Sequence, residues 1–215
     1  MLRTISSVSI AALALTASAS AGLWTVSVSG NPDFYTVADA FGSAKVQDGD
    51  VVRVLSGGYM GDFDTGTKAL TIEPGNSPGI VDVFGNMYVR PNSTVNFEIG
   101  GYNSGLSSGN PQFDQFIVTG NVNFQGVVEI TQYQGFTPSL GDAFAIIQSG
   151  GSMSFTGTTV LPSLSGGLSW QVAVVNGSSE FGSTGYSLIA SVVPAPSAAA
   201  LVGLAGLVSS RRRRA

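Results

Sequence analysis

No cysteine and no histidine occurs anywhere in this chain. Disulfides, thiolate nucleophiles, zinc fingers and imidazole general bases are therefore excluded, and a folded body is held by packing and hydrogen bonds alone. Charge is scarce too, at 10% of 215 residues, where soluble domains average about a quarter. It is also segregated. Of the nine basic residues, only Lys45, Arg53, Lys68 and Arg90 lie between the termini, and nothing from 91 to 210 is basic. All 13 acidic residues lie in that middle region, so the body sets four positive charges against 13 negative ones, a balance of −9. Nucleic acid and anionic lipid headgroups are poor partners for such a surface.

Glycine (29 residues), serine, threonine, asparagine and valine fill the space that charge leaves. That composition favours short strands joined by many turns and gives little material for surface helices. The length suits one or two domains with a real core.

The amino terminus, MLRTISSVSIAALALTASASA, has Arg3 as a charged start, an apolar segment centred on Ile10 to Leu15, and then small residues. This is the pattern of a secretory signal peptide over 1–21. Small-x-small cleavage fits after Ala19 or after Ala21, so the mature chain is expected to begin near Ser20 or Gly22. The carboxyl terminus, VVPAPSAAALVGLAGLVSSRRRRA, holds 16 uncharged residues from Ala195 to Ser210. As a helix these span ~24 Å at ~1.5 Å per residue, short of the ~30 Å hydrocarbon core of a bilayer. Pro194 and Pro196 keep the helix from starting earlier. Arg211, Arg212, Arg213 and Arg214 are expected to stay on the cytoplasmic side as a membrane stop, which leaves the acidic body outside, where the leader sends it.

A Pro-x-Pro motif, a short small-residue span and a terminal arginine block, in that order, closely resemble the PEP-CTERM sorting tag of bacterial exported proteins. The resemblance covers about 24 residues. It implies that the tag, 192–215, is recognised by a membrane protease of the exosortase type and cut near Val193-Pro194-Ala195-Pro196. Alanine stands at 195 where the family usually has glutamate.

The body, 22–191, reads as strands almost throughout. Apolar or β-branched runs recur at 51–55, 69–72, 80–84, 87–90, 94–99, 116–120, 127–131, 143–148, 168–176 and 186–193, with Gly, Asn, Asp, Ser or Pro in every interval. One helix is expected near Tyr35 to Phe41, ending by Lys45 to Gln47, with Val37, Ala40, Phe41 and Ala44 on its buried face. The helix followed by Gln47-Asp48-Gly49-Asp50-Val51-Val52-Arg53-Val54, Gly57-Gly58-Tyr59 and Lys68-Ala69-Leu70-Thr71-Ile72 resembles the first turns of right-handed parallel β-helix proteins. Ser77-Pro78-Gly79, 93–101, Phe113-Asp114-Gln115 and 141–147 resemble strand repeats of autotransporter passengers. No strict period is legible. The fold expected is an all-β, short right-handed parallel β-solenoid with one N-terminal helix, of seven or eight coils at roughly 20 to 25 residues each. A β-sandwich is the alternative.

Candidate chemistry is thin. Asp48-x-Asp50 and Asp62-x-Asp64 sit among glycines, a setting in which aspartates serve either as calcium ligands or, the reading taken here, as turn residues bonded to nearby backbone. Glu73, Glu98 and Glu129 on or beside strands are the carboxylates a glycosidase would need, with nothing to set their separation. Resemblance to β-helix polysaccharide lyases would call for a basic residue, for which only Arg53, Lys68 and Arg90 are on hand. Tyr59, Tyr88, Tyr102 and Tyr133 are candidates to stack on sugar rings. Asn92-Ser93-Thr94 and Asn176-Gly177-Ser178 fit a glycosylation sequon. No motif implies a metal or cofactor. The expectation is a surface- or matrix-associated structural or adhesive protein, not an enzyme, with exopolysaccharide as a candidate partner besides the sorting protease. A carbohydrate-binding module or a small polysaccharide-active enzyme is the alternative.

Overall fold

The computed structural model describes residues 20–76, 78–107 and 109–196. Most of the expected leader, including Ala19, and the segment after Pro196, with Arg211 to Arg214, lie outside them. Among the described residues no helix is long and apolar enough to cross a membrane.

The elements run β1 (Leu23–Val26), α1 (Val37–Gly42), β2 (Val51–Val54), β3 (Gly57–Met60), β4 (Phe63–Asp64), β5 (Thr71–Pro74), β6 (Ile80–Phe84), β7 (Met87–Val89) and β8 (Thr94–Ile99). They continue with β9 (Gln115–Val118), β10 (Val122–Phe124), β11 (Val127–Gln132), β12 (Ala143–Ser149), β13 (Met153–Phe155), β14 (Thr158–Val160), β15 (Leu168–Ser178) and β16 (Gly182–Pro194). The all-β expectation is met, and every strand run named from the sequence overlaps one of these strands.

Three sheets share the strands. The first, β1-β2-β5-β8-β11-β14, and the second, β4-β7-β10-β13, are parallel throughout. In the third, β3, β6, β9 and β12 are parallel, and β16 and then β15 are added antiparallel beyond β12. From β2 to β14, successive strands visit the first, third and second sheets in turn, so each strand from β5 to β14 pairs with the one three places earlier. Alternation of side chains puts every second residue on the inner face. Thus Val52 and Val54, Ile72, Val95, Phe97 and Ile99, and Val128 and Ile130 from the first sheet enter one core with residues of the other two. Phe63, Phe116 and Phe97, one from each sheet, pack edge to face with centroids 5.2 and 6.1 Å apart.

A repeated corner keeps the strands in register. Gly61-Asp62, Gly85-Asn86, Gly120-Asn121 and Gly151-Ser152 stack on one another ahead of β4, β7, β10 and β13. Asp62 Oδ1 accepts from the Asn86 backbone N–H (2.8 Å), Asn86 Oδ1 from that of Asn121 (2.9 Å), and Asn121 Oδ1 from that of Ser152 (2.9 Å). The glycine is a steric requirement: a Cβ on Gly85 would lie 2.3 Å from the Gly61 carbonyl oxygen. Equivalent corners are 24, 35 and 31 residues apart, the first within the expected coil length and the other two beyond it, because loops of unequal length leave the stack between them.

Helix α1 covers the amino-terminal end of the core. Thr36 caps it by accepting from the Asp39 N–H, Val37, Ala40 and Phe41 are buried, and the Phe41 ring meets Phe63 at 5.1 Å. Lys68 Nζ donates to the Phe41 and Ser43 carbonyls (2.8 and 2.6 Å), placing a cation at the negative end of the helix. The helix stops earlier than expected. Ser43 is extended, so Ala44, expected on the buried face, is exposed.

Candidate binding groove

Loops leave the stack mainly at one corner, between the first and third sheets, after β5 (75–79), after β8 (100–114) and after β11 (133–142). The longest is tied at its base like a hairpin: Gly100 N donates to Gln112 O (2.7 Å), Asp114 N to Glu98 O (2.9 Å) and Gln112 N to Asn103 O (2.7 Å). Gly101 packs so closely on Gln112 that a Cβ there would lie 2.4 Å from Oε1.

These three loops enclose a groove of ≈ 320 Å³ lined by Asn76, Pro78, Gly100, Asn110, Pro111, Gln112, Tyr133 and Gln134. No lining residue is charged. The Tyr133 ring lies over Gly100, its Cδ1 3.1 Å from where a Cβ would stand. Gln134 holds a positive φ of 50°, a conformation uncommon for a side chain of this type. Tyr102, on the neighbouring loop, is 61% exposed, donates its hydroxyl to Asp142 Oδ2 (3.0 Å) and packs edge-on against Phe136.

Asp114 anchors the base of the longest loop. Its Oδ1 accepts from Gly79 N (2.7 Å) and its Oδ2 from Glu98 N (2.8 Å), so one side chain joins two loops to a strand. Burial pushes its carboxyl up to about 8, against the two N–H bonds, which act to lower it, and with the nearby Glu98 and Glu73 charges adding to the rise. Glu98 Oε2 and Gln115 Oε1, on either side of it in the chain, are buried and have no hydrogen-bond partner among the described residues.

Most other candidates hold the structure together. Asp48 Oδ1 accepts from Ala69 N, and Asp62 takes part in the corner ladder, both as backbone-bonding residues. Asp50 is nearly buried and accepts three hydrogen bonds. Asp64 lies in β4, where Arg90 grips it through two bonds (2.8 and 2.5 Å) and lowers its carboxyl. Arg53 and Glu73 are register neighbours and ion-paired at 2.6 Å. Glu129 stands between Asn96 and Val160 in the first sheet, away from Asp114 in register. Tyr59, expected to be exposed, is buried at 2%, its hydroxyl donating to Val26 O and Leu55 O, because it faces inward on β3. Tyr88 lies under the Arg90 guanidinium, with Cζ 5.3 Å from the ring centroid. Of the four tyrosines, only Tyr133 lines the groove. Among the described residues no group of three or more Asp, Glu, His or Cys is placed to hold a metal ion.

Val193 and Pro194 belong to β16, opposite Ser169 and Leu168, and Ala195 N donates to Gly167 O (2.7 Å), so the Pro-x-Pro motif begins inside the last strand. Asn76, Asn110, Gln112 and Gln134 carry no motif. What marks Asn110, Gln112 and Gln134 in the sequence is the length of the unpatterned intervals 100–114 and 133–142; Asn76, in the short interval 75–79, has no such mark. Compared with known families and characterised proteins, the chain matches no family model and no relative.

Proposed function

We propose that this is an exported, surface- or matrix-associated structural or adhesive protein. Its body is a short right-handed parallel β-solenoid. The carboxyl-terminal tag around Val193, Pro194, Ala195 and Pro196, with a transmembrane segment at about 195–210 and the stop at Arg211 to Arg214, delivers it to the surface through an exosortase-like protease. The observation that carries the adhesive reading is how the ionisable groups are used. Arg53, Lys68, Arg90, Asp50, Asp62, Asp64 and Glu73 tie neighbouring strands or the helix, while the groove between the three loops offers amides and a tyrosine. A carbohydrate-binding role is the second reading, favoured by that uncharged groove. Its partner would be a neutral exopolysaccharide, since a body of net −9 without basic residues beyond Arg90 repels anionic chains.

Deleting Arg211 to Arg214 tests the sorting. The short, weakly apolar span depends on those charges to stop it, so their loss lowers membrane retention of the precursor and the yield of cut form. Mass spectrometry of surface protein from the native host is expected to find a carboxyl terminus near Pro196. An intact terminus at Ala215 on all surface-located protein would refute processing.

A further inference from the structure

We infer that the leader is removed between Ala21 and Gly22 and that the amine this frees forms a structural ion pair with Asp50. The inference rests on the reading of 1–21 as a secretory leader, and it selects one of the two cuts that the small residues allow. Gly22 N already donates to Asp50 Oδ1 at 2.6 Å, while Asp50 Oδ2 accepts from Trp24 Nε1 and Gln47 N, both at 2.8 Å. The carboxylate is 6% exposed and gathers donors from three directions. Val51 N donates to Gly22 O (2.8 Å), which fixes residue 22 from its other side one step before β1 begins.

Glycine fits the tight space here. A Cβ at 22 would stand 3.0 Å from Trp24 Nε1 and 3.1 Å from Asp50 Oδ1, between the indole and the carboxylate it bonds. Ser20 and Ala21 are exposed by contrast. Ser20, Ala21, Gly22 and Asp50 border a recess of ≈ 250 Å³ that opens beside the nitrogen, with room for the additional protons of an ammonium. Lys45 and Asp48 stand at the rim of this recess, and Lys68 acts on Asp50 from the helix side.

The chemistry is hydrolysis. Water adds across the Ala21–Gly22 amide, the C–N bond breaks, a carboxylate remains on Ala21, and the departing nitrogen becomes the ammonium of Gly22. A neutral amide donor is thereby replaced by a cation at the same place, and a charge-assisted hydrogen bond replaces an ordinary one. A cut after Ala19 would leave the Gly22 amide neutral and place the new charge two residues away. Maturation would thus tighten β1, the first edge of the first sheet.

Three forms of the chain, all continuing to Ala215 and held in the same mild detergent, test this: one beginning at Gly22, one beginning at Ser20, and one beginning at Gly22 with an acetylated amine. The free Gly22 form is expected to melt higher than the other two by about 2–4 °C. Asp50 raises the pKa of the amine, so the increment is full below the ordinary α-amine value of about 7.7 and is lost as pH rises through the raised one. In Asp50→Asn the three forms are expected to melt together, and the acetylated form keeps the comparison decisive if that variant does not fold. Equal melting of the free and acetylated Gly22 forms would overturn the ion pair. Amino-terminal sequencing of exported protein separates the two levels of the reading: Gly22 supports the inference, Ser20 overturns it while leaving export intact, and Met1 overturns export as well.

Discussion

Asp114 should make the stability of this protein fall as pH rises through neutrality, and Asp114→Asn should remove that fall. The folded carboxyl is raised from 3.8 to about 8 by burial. Between those values the folded state holds a proton that the unfolded state has released. Its contribution is therefore full below about pH 4 and declines as pH rises toward 8. Four units at about 1.4 kcal/mol each set an upper bound of about 6 kcal/mol on the decline. Asparagine keeps one acceptor for Gly79 N or Glu98 N and turns a donor toward the other, so near pH 5 the variant is expected to be weaker by roughly one hydrogen bond, about 1 kcal/mol. At pH 8 to 9 the order reverses, because the variant has no charge to bury. Urea denaturation of both proteins at unit pH steps from 5 to 9 reads the difference directly, since other titrating groups cancel in it. Parallel curves across that range would refute the argument and mean that Asp114 is folded as an anion held by its two N–H donors.

Phe116→Ala removes the ring that joins Phe63 to Phe97 at the centre of all three sheets. It is expected to cost about 3–5 kcal/mol in urea denaturation, and a loss below about 1 kcal/mol would contradict a close-packed centre. Tyr133→Ala takes the only aromatic side chain from the groove. Calorimetric titration with cellohexaose or another neutral hexasaccharide is expected to show at least about tenfold weaker binding than wild type at unchanged melting temperature, a difference of about 1.4 kcal/mol. Tighter binding of hexagalacturonate than of any neutral chain would contradict the neutral-glycan reading.

The inner faces were legible because each strand carries its own evidence: TVNFEI and VVEITQ alternate, and alternation survives whatever the strand pairs with. Six strands were not, namely β1, β3, β4, β10, β13 and β14. They are short, and β3 contains Gly57 and Gly58, which by local propensity argue against a strand. Their pairing partners supply what the segment itself lacks. The corner repeat Gly61-Asp62, Gly85-Asn86, Gly120-Asn121, Gly151-Ser152 stands openly in the sequence, but its unequal spacing hides it from a search for a fixed period. The groove was less legible still, because it arises from three loops far apart in sequence. Tyr133 was named for its chemistry, whereas Gln112 and Gln134 gained meaning only from the stacking that brings their loops together. Ala44 shows the opposite failure: helical periodicity put it on the buried face, but the helix ends two residues before it and Ala44 is exposed.

The carboxyl-terminal motif and the last strand use the same residues, and that constrains the proposed sorting. Val192 is buried in the core, Val193 and Pro194 pair with Ser169 and Leu168, and Ala195 N is bonded to Gly167 O. A protease needs an extended, accessible segment, and an intact antiparallel pair denies it one as far as Pro194. A cut within Val193-Pro194 would therefore require the open end of the β15–β16 hairpin to fray. A cut at or after Pro196 leaves every ladder bond of β16 in place. Proline at 194 suits this boundary, since it ends the strand without needing a donor for the next ladder bond. The folded body thus favours the distal side of the motif, and the carboxyl terminus found by mass spectrometry should fall at or beyond Ala195. A terminus at Val192 or Val193 would show that processing precedes closure of the hairpin.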